Sequence, residues 1–170
     1  MTAEHRDRRP QADPVIEAIS SVLGRIPSGV FILTARHGEQ ETGMLASWVM
    51  QAGFDPPMVS VAIRHGRYLA DWLRSGTPFV LNILSEGQAK TLRHFGRGFA
   101  PGEEAFDGID LRRTPEGLPV LASAIGHLVC EPTGSIDSGD HHVFLARVTS
   151  GSLASAAKPM VHVRKTGMKY

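Results

Sequence analysis

The chain has 170 residues, 42% hydrophobic and 21% charged, which fits a globular protein long enough to bury a sizeable core. Eighteen basic side chains against seventeen acidic ones leave a formal charge of +1, so the balance points to neither nucleic acid nor an anionic membrane as partner. Cys130 is the sole cysteine, which excludes an intrachain disulfide and a zinc–thiolate cage.

The first residues, Met1–Gln11, are charged and lack the apolar stretch of a secretory signal. No apolar run approaches the ~20 residues of a membrane span. The expectation is a disordered leader over 1–12, one domain over 13–170 and a cytoplasmic location. Asp13-Pro14 opens a helix, with Asp13 as N-cap and Pro14 at the first helical position. Val15, Ile19 and Val22 recur at helical spacing, and Gly24 is the expected stop. Gly29–Ala35 is near-continuously apolar, the pattern of a strand buried on both faces. His37–Gln40 reads as a turn, and Glu41–Gln51 as one returning strand. Asp55-Pro56-Pro57 breaks the pattern, after which Met58–Ile63 alternates as a strand with one buried face.

Tyr68, Leu69, Trp72 and Leu73 share a helical face that Gly76 ends. Phe79–Leu84 is a further strand, and Ser85 with Gln88 reads as a capping box for a helix ending at Gly96. Residues Arg97–Gly108 are loop-like. Strands are expected at Ile109–Arg113, Ala124–Ile136, Val143–Ser150 and Met160–Arg164. Strands that do not alternate with helices argue against a doubly wound sheet and for a mainly β, closed antiparallel barrel with a few short α-helices.

Four stretches are candidates for chemistry. Gly43-Met44-Leu45-Ala46-Ser47-Trp48 is rich in small residues inside a strand. It is either a bulge or barrel corner, or a backbone that a flat ring approaches closely. Arg64-His65-Gly66-Arg67 joins a strand to a helix and is either a solvated basic turn or a phosphate cradle. Ser138-Gly139-Asp140-His141-His142 precedes a strand, so its neighbouring histidines point to opposite faces and are poorly placed to share one ion. No metal site is expected there. One histidine is either a surface group on a turn or a pocket group that handles hydrogen bonds and protons. The basic end, His162–Tyr170, is either a plain terminal strand or a segment that closes a site. No Gly-x-Gly-x-x-Gly, P-loop or Gly-x-Ser-x-Gly elbow is present.

The order of these stretches resembles a known family. Ile26-Pro27-Ser28-Gly29-Val30-Phe31-Ile32-Leu33-Thr34, then Gly43–Trp48, Asp55-Pro56-Pro57, Phe79-Val80-Leu81-Asn82, Asp140-His141 and the closing His162-x-Arg164-Lys165-x-Gly167-x-x-Tyr170 are similar to the flavin-reductase-like, FMN-binding split-barrel family. The likeness is strongest to the C-terminal flavin reductase module of cyanobacterial-type flavodiiron proteins. The resemblance implies a Greek-key split β-barrel, a homodimer, and bound FMN, with FAD as the other flavin. It implies a hydride passed from NAD(P)H to the flavin, and electrons supplied to a separate oxygenase or other acceptor. It implies cofactor contacts from Met44, Leu45, Ala46, Ser47, Trp48, Arg64, Arg67, Asn82 and Lys165, with His141 positioning the nicotinamide. The turn after Ile63 departs from many relatives, carrying His65, Gly66, Arg67 and Tyr68 where flavin reductases often have Ser and Thr hydroxyls. His142 stands where relatives often have an apolar residue. The alternatives are a flavin-binding electron-transfer or sensory module without its own NAD(P)H oxidation, and a split barrel that holds another cofactor such as haem.

Overall fold

A computed structural model of the chain describes residues 13–168; the expected leader over 1–12 and the closing Tyr170 lie outside them. Residues 28–162 form one compact unit, and the segments on either side of it form a second. No helix among the described residues is long and apolar enough to cross a membrane.

In the smaller unit, α1 (Pro14–Leu23) starts as expected: the Asp13 carboxylate accepts from the Val15 N–H at 2.9 Å, and proline occupies the first turn. The C-terminal segment runs beside its end. Arg164 N–H donates to Gly24 C=O at 3.0 Å, and Gly167 N–H donates to Ser20 C=O at 2.7 Å. Gly167 is dictated by this approach, since a Cβ there would stand 2.2 Å from the Leu23 Cβ.

The larger unit begins with β1 (Ser28–Gly29), β2 (Phe31–His37), β3 (Gln40–Ala46), β4 (Val49–Phe54) and β5 (Pro57–Arg64). Then follow α2 (Tyr68–Arg74), β6 (Phe79–Ile83), α3 (Ala89–Gly96), β7 (Leu111–Arg113) and β8 (Pro119–Leu121). A long hairpin, β9 (Gly126–Ser138) and β10 (His141–Leu153), leads to β11 (Val161–His162), which pairs with β1. Seven strands make one antiparallel sheet in the order β3-β2-β6-β9-β10-β5-β4. Its two end strands, β3 and β4, are consecutive in the chain and joined through Ser47-Trp48 alone. The chain thereby draws the two ends of the sheet round towards each other, as in a split barrel. Among the described residues no ladder seals that seam, so one edge of β3 carries backbone groups without a strand neighbour.

β2 is buried on both faces, which accounts for its near-continuous apolar run. Leu33 and Ala35 pack inside the barrel with Val61, Ile63, Leu81 and Phe144, under a lid of Leu69, Ala70 and Leu73 from α2. Val30 and Ile32 face a second cluster with Leu84, Leu121 and Phe95 of α3. Each fully buried phenylalanine contributes roughly 2–3 kcal/mol of transfer free energy.

Three local expectations differ from the fold. The single strand over 41–51 is two strands, β3 and β4, at opposite ends of the sheet, because the chain leaves the ladder at Ser47. Ser85 does not cap α3, which starts at Ala89: Gly87 takes φ +90°, off the helical path, and Ser85 bridges to Pro159. The Gln88 amide oxygen instead accepts from the Ser85 N–H at 2.6 Å. β8 lay unseen in the sequence, as its three residues begin with a proline and gain strand geometry only by pairing with β7.

Candidate functional site

The Gly43–Trp48 stretch contributes less bare surface than its composition suggests. Its smallest residue is needed for packing: a Cβ on Gly43 would come 2.6 Å from Cε1 of Phe95. Alternation sends Leu45 to the cluster around α3 and Ala46 into the barrel interior. Ser47 is buried. What the stretch offers a ligand is the free backbone edge of β3, together with Met44 at one end and Trp48 at the other.

Met44 lines a narrow groove with Thr42, Gly43, Arg67, Tyr68, Gly98 and Phe99. The Tyr68 hydroxyl donates to Thr42 Oγ1 and so ties α2 to β3. Arg67 precedes α2 and lies against Gly98, where a Cβ would be 2.6 Å from its guanidinium. Gly98 sits at φ +75°, so both its backbone conformation and its missing side chain admit the arginine. Arg64 ends β5 in an exposed position, three residues before Arg67.

The other end of the β3 seam is aromatic. His141 opens β10 directly across from Arg64. Its ring lies 4.6 Å, centroid to centroid, from Trp48. Its Nδ1 is 2.7 Å from the Asp140 carboxylate, which places a proton on Nδ1 and turns Nε2 away from that carboxylate. The hydrogen bond to His141 holds the Asp140 carboxyl below its usual value, with the His141 and Arg64 charges adding to it. His65 N–H donates to the Asp140 carbonyl at 2.9 Å and secures the turn.

His142 points the other way, onto the barrel's inner face with Phe144. There it meets His65, with ring centroids 3.9 Å apart, and Asp137, its cross-strand partner. Sequence spacing hid this group, because its members come from a turn, the end of β9 and the start of β10.

Asn82 is fully buried in β6, and its amide is used up by the fold. It donates to Ile32 C=O at 2.9 Å and to Thr34 Oγ1 at 3.0 Å, and accepts from the Leu121 N–H at 2.8 Å. These bonds fasten β8 and β2 to β6. Lys165 belongs to the smaller unit, with the C-terminal segment.

A cleft of about 670 Å³ lies beyond Tyr68 and is lined by Trp72, Arg113 and five carboxylates: Glu39, Glu41, Glu103, Glu104 and Asp107. Its one arginine is already paired with Glu41. Such a wall repels phosphate. Arg64 and Arg67, at the turn after β5, are cationic groups outside that wall.

Comparison with known proteins decides the family: the flavin reductase like domain matches residues 23–169. The chain belongs to that family. It is 39% identical over 154 residues to diflavin flavoprotein A 1 of Synechocystis, covering 89% of this chain and 27% of that protein. It is 40% identical over 164 residues to putative diflavin flavoprotein A 5 of Nostoc, covering 94% of this chain and 28% of that one. The chain thus spans under a third of the length of the curated relatives it matches. Among solved structures, the NADH:FAD oxidoreductase SgcE6 of Streptomyces globisporus superposes with a TM-score of 0.78 at 30% identity, covering 84% of this chain and 85% of that one. The same oxidoreductase in complex with NAD and FAD fragments gives a TM-score of 0.76 at 28% identity, covering 84% of each chain. The fold is the split barrel of these flavin reductases.

Proposed function

We propose that the chain is a flavin oxidoreductase that holds FMN, or FAD in its place, along the open edge of β3 and takes reducing equivalents from NAD(P)H. The observation that carries this reading is the seam itself: an unpaired strand edge flanked by the arginine turn at 64–67 and by the His141–Trp48 ring pair. The donor set fits a flavin. A strand edge offers alternating N–H and C=O groups, which match the donors and acceptors on the polar edge of a flat heterocycle. Arg64 and Arg67 suit the phosphate. FMN requires no second phosphate site, and the acid-lined cleft beyond Tyr68 offers none.

When bound, the flavin would supply the hydride-accepting ring, and the rest is done by the chain. Met44 and Trp48 flank the ring's position and exclude water. Asp140 holds the imidazole of His141 in one tautomer and one orientation, so that it positions the nicotinamide instead of acting as a proton donor. A homodimer, and a separate acceptor such as an oxygenase, complete the proposal. The presence of SgcE6, described as an NADH:FAD oxidoreductase, among the structural neighbours supports the donor.

The test is a stepwise titration. FMN, FAD and riboflavin are each added to the purified chain while flavin fluorescence and absorbance are followed. NADH or NADPH is then added without oxygen. Bound flavin should bleach faster than free flavin with the same nicotinamide. If neither nicotinamide bleaches it faster than a protein-free control, the oxidoreductase reading fails. Flavin that binds without bleaching would mark an electron-transfer module.

A further inference from the structure

We propose that His65, Asp137 and His142 form a binding site for a divalent transition-metal ion of the zinc, cobalt and nickel class. No motif spacing marks these residues; the sheet assembles them. Asp137 and His142 are direct cross-strand partners in the β9–β10 hairpin, and β5 lies on the other side of β10, bringing its following turn alongside. The His65 N–H bond to Asp140 C=O, 2.9 Å, pins that turn against the hairpin.

One donor atom from each residue lies within 4.8 Å of the other two. Asp137 Oδ1 contacts Nδ1 of His142 and is 3.8 Å from Nε2 of His65. Metal–nitrogen and metal–oxygen bonds of about 2.0–2.2 Å put the donors of one ion about 3–3.5 Å apart. Closing the remaining gap takes small rotations of His65 and Asp137, whose side chains are 42% and 76% exposed and have room to turn. Two imidazoles and one carboxylate suit borderline ions and leave positions open for water. Calcium and magnesium prefer all-oxygen shells, and no thiolate is at hand for copper(I).

Arg74 is the group that opposes an ion. Its guanidinium sits on the imidazole of His142, 2.5 Å from Nε2 and 2.9 Å from Nδ1, and also pairs with Asp71 at 3.0 Å. An incoming cation must push Arg74 off the imidazole, and Asp71 stands ready to keep it. The arginine therefore sets the affinity: its removal strengthens binding. His141 takes no part, because it faces the opposite side of β10.

The experiment uses the untagged chain, without flavin or nicotinamide, so that its outcome is separate from that of the oxidoreductase reading. Cobalt(II) is titrated while its visible ligand-field bands are followed, and zinc binding is measured by calorimetry. One ion per chain is expected, with affinity falling at least about tenfold in Asp137→Asn and in His65→Gln, and rising in Arg74→Met. His65 and Asp137 are exposed, so both variants should keep the far-ultraviolet spectrum of the parent. The proposal is overturned if the parent chain gives no saturable cobalt signal, or if that signal survives unchanged in His65→Gln and Asp137→Asn.

Discussion

Asn82 and His141 are both buried polar residues of a mostly apolar sheet, yet their partners differ. Asn82 sits mid-strand in β6, where every partner within reach is backbone or the Thr34 hydroxyl, and all of its hydrogen-bonding capacity goes into holding strands together. His141 stands at the rim, on the first residue of β10, where its partners are an exposed carboxylate and an aromatic ring beside an open strand edge. A buried polar group enclosed by the ladder is committed to the fold, whereas the one at the end of the ladder has the ring nitrogen that the proposed function gives to a ligand. The titratable neighbours follow the same division. Burial in the interior pushes the Cys130 thiol up to about 12, while at the rim the hydrogen bond from His141 pulls the Asp140 carboxyl down.

The sharpest way to break this comparison is Asn82→Ala. It orphans the Leu121 N–H and removes a donor from Ile32 C=O, so urea unfolding should report a loss of about 3 kcal/mol. The flavin affinity of the folded fraction should stay unchanged; weaker flavin binding without loss of stability would place Asn82 in the cofactor set. The converse holds for His141→Ala. It should lower kcat/KM for the nicotinamide by roughly 10–100-fold and leave the melting temperature nearly in place. The adjacent His142→Ala should affect turnover far less.

Next in size is Arg67→Ala, which should weaken FMN binding by about tenfold, the worth of one charge-assisted hydrogen bond. Riboflavin, which has no phosphate, should bind equally to both proteins. An equal loss for both ligands would move the arginine's role from the phosphate to the ring.

Cys130 gives a smaller, pH-dependent effect. Its usual value is 9.0 and its folded value about 12, so below pH 9 folded and unfolded chains both hold the proton and the full stability is present. Between pH 9 and 12 only the unfolded chain loses the proton, and stability falls. Denaturation curves of the parent and Cys130→Ala should therefore converge over that window. The smallest expected change is at Asp140: in His141→Ala its carboxyl should titrate nearer its usual 3.8, measured by NMR. The group is exposed, so its effect on stability is screened.

Much of the fold was legible because it is local. Asp13-Pro14 started α1, the apolar run at 29–35 marked a strand buried on both faces, and the alternation at 58–63 marked β5. The strand-turn-helix run at 58–74 placed Arg64 and Arg67 at a turn, and period-2 alternation alone separated His141 from His142. Sequence alone does not place Asn82, because an asparagine in a strand looks the same whether its amide meets a ligand or a neighbouring backbone. Gly43 misled for a related reason: a missing side chain marks close approach without naming what approaches, and here it is the Phe95 ring. Asp137 and Arg74 gave no signal, since each matters only through a partner on another element.

By itself the sequence determined the element types, the mainly β class, the family and the turn chemistry, since these rest on periodicity, capping and ordered short motifs within a few residues of one another. Only the tertiary structure decided that Ser47-Trp48 crosses from one end of the sheet to the other, that Asn82 is enclosed, and that His65, Asp137 and His142 converge. The physical reason is that strand pairing is non-local. Which edge stays open, and which side chains meet across it, is set by the order and register of the whole ladder, and no window of adjacent residues contains that information.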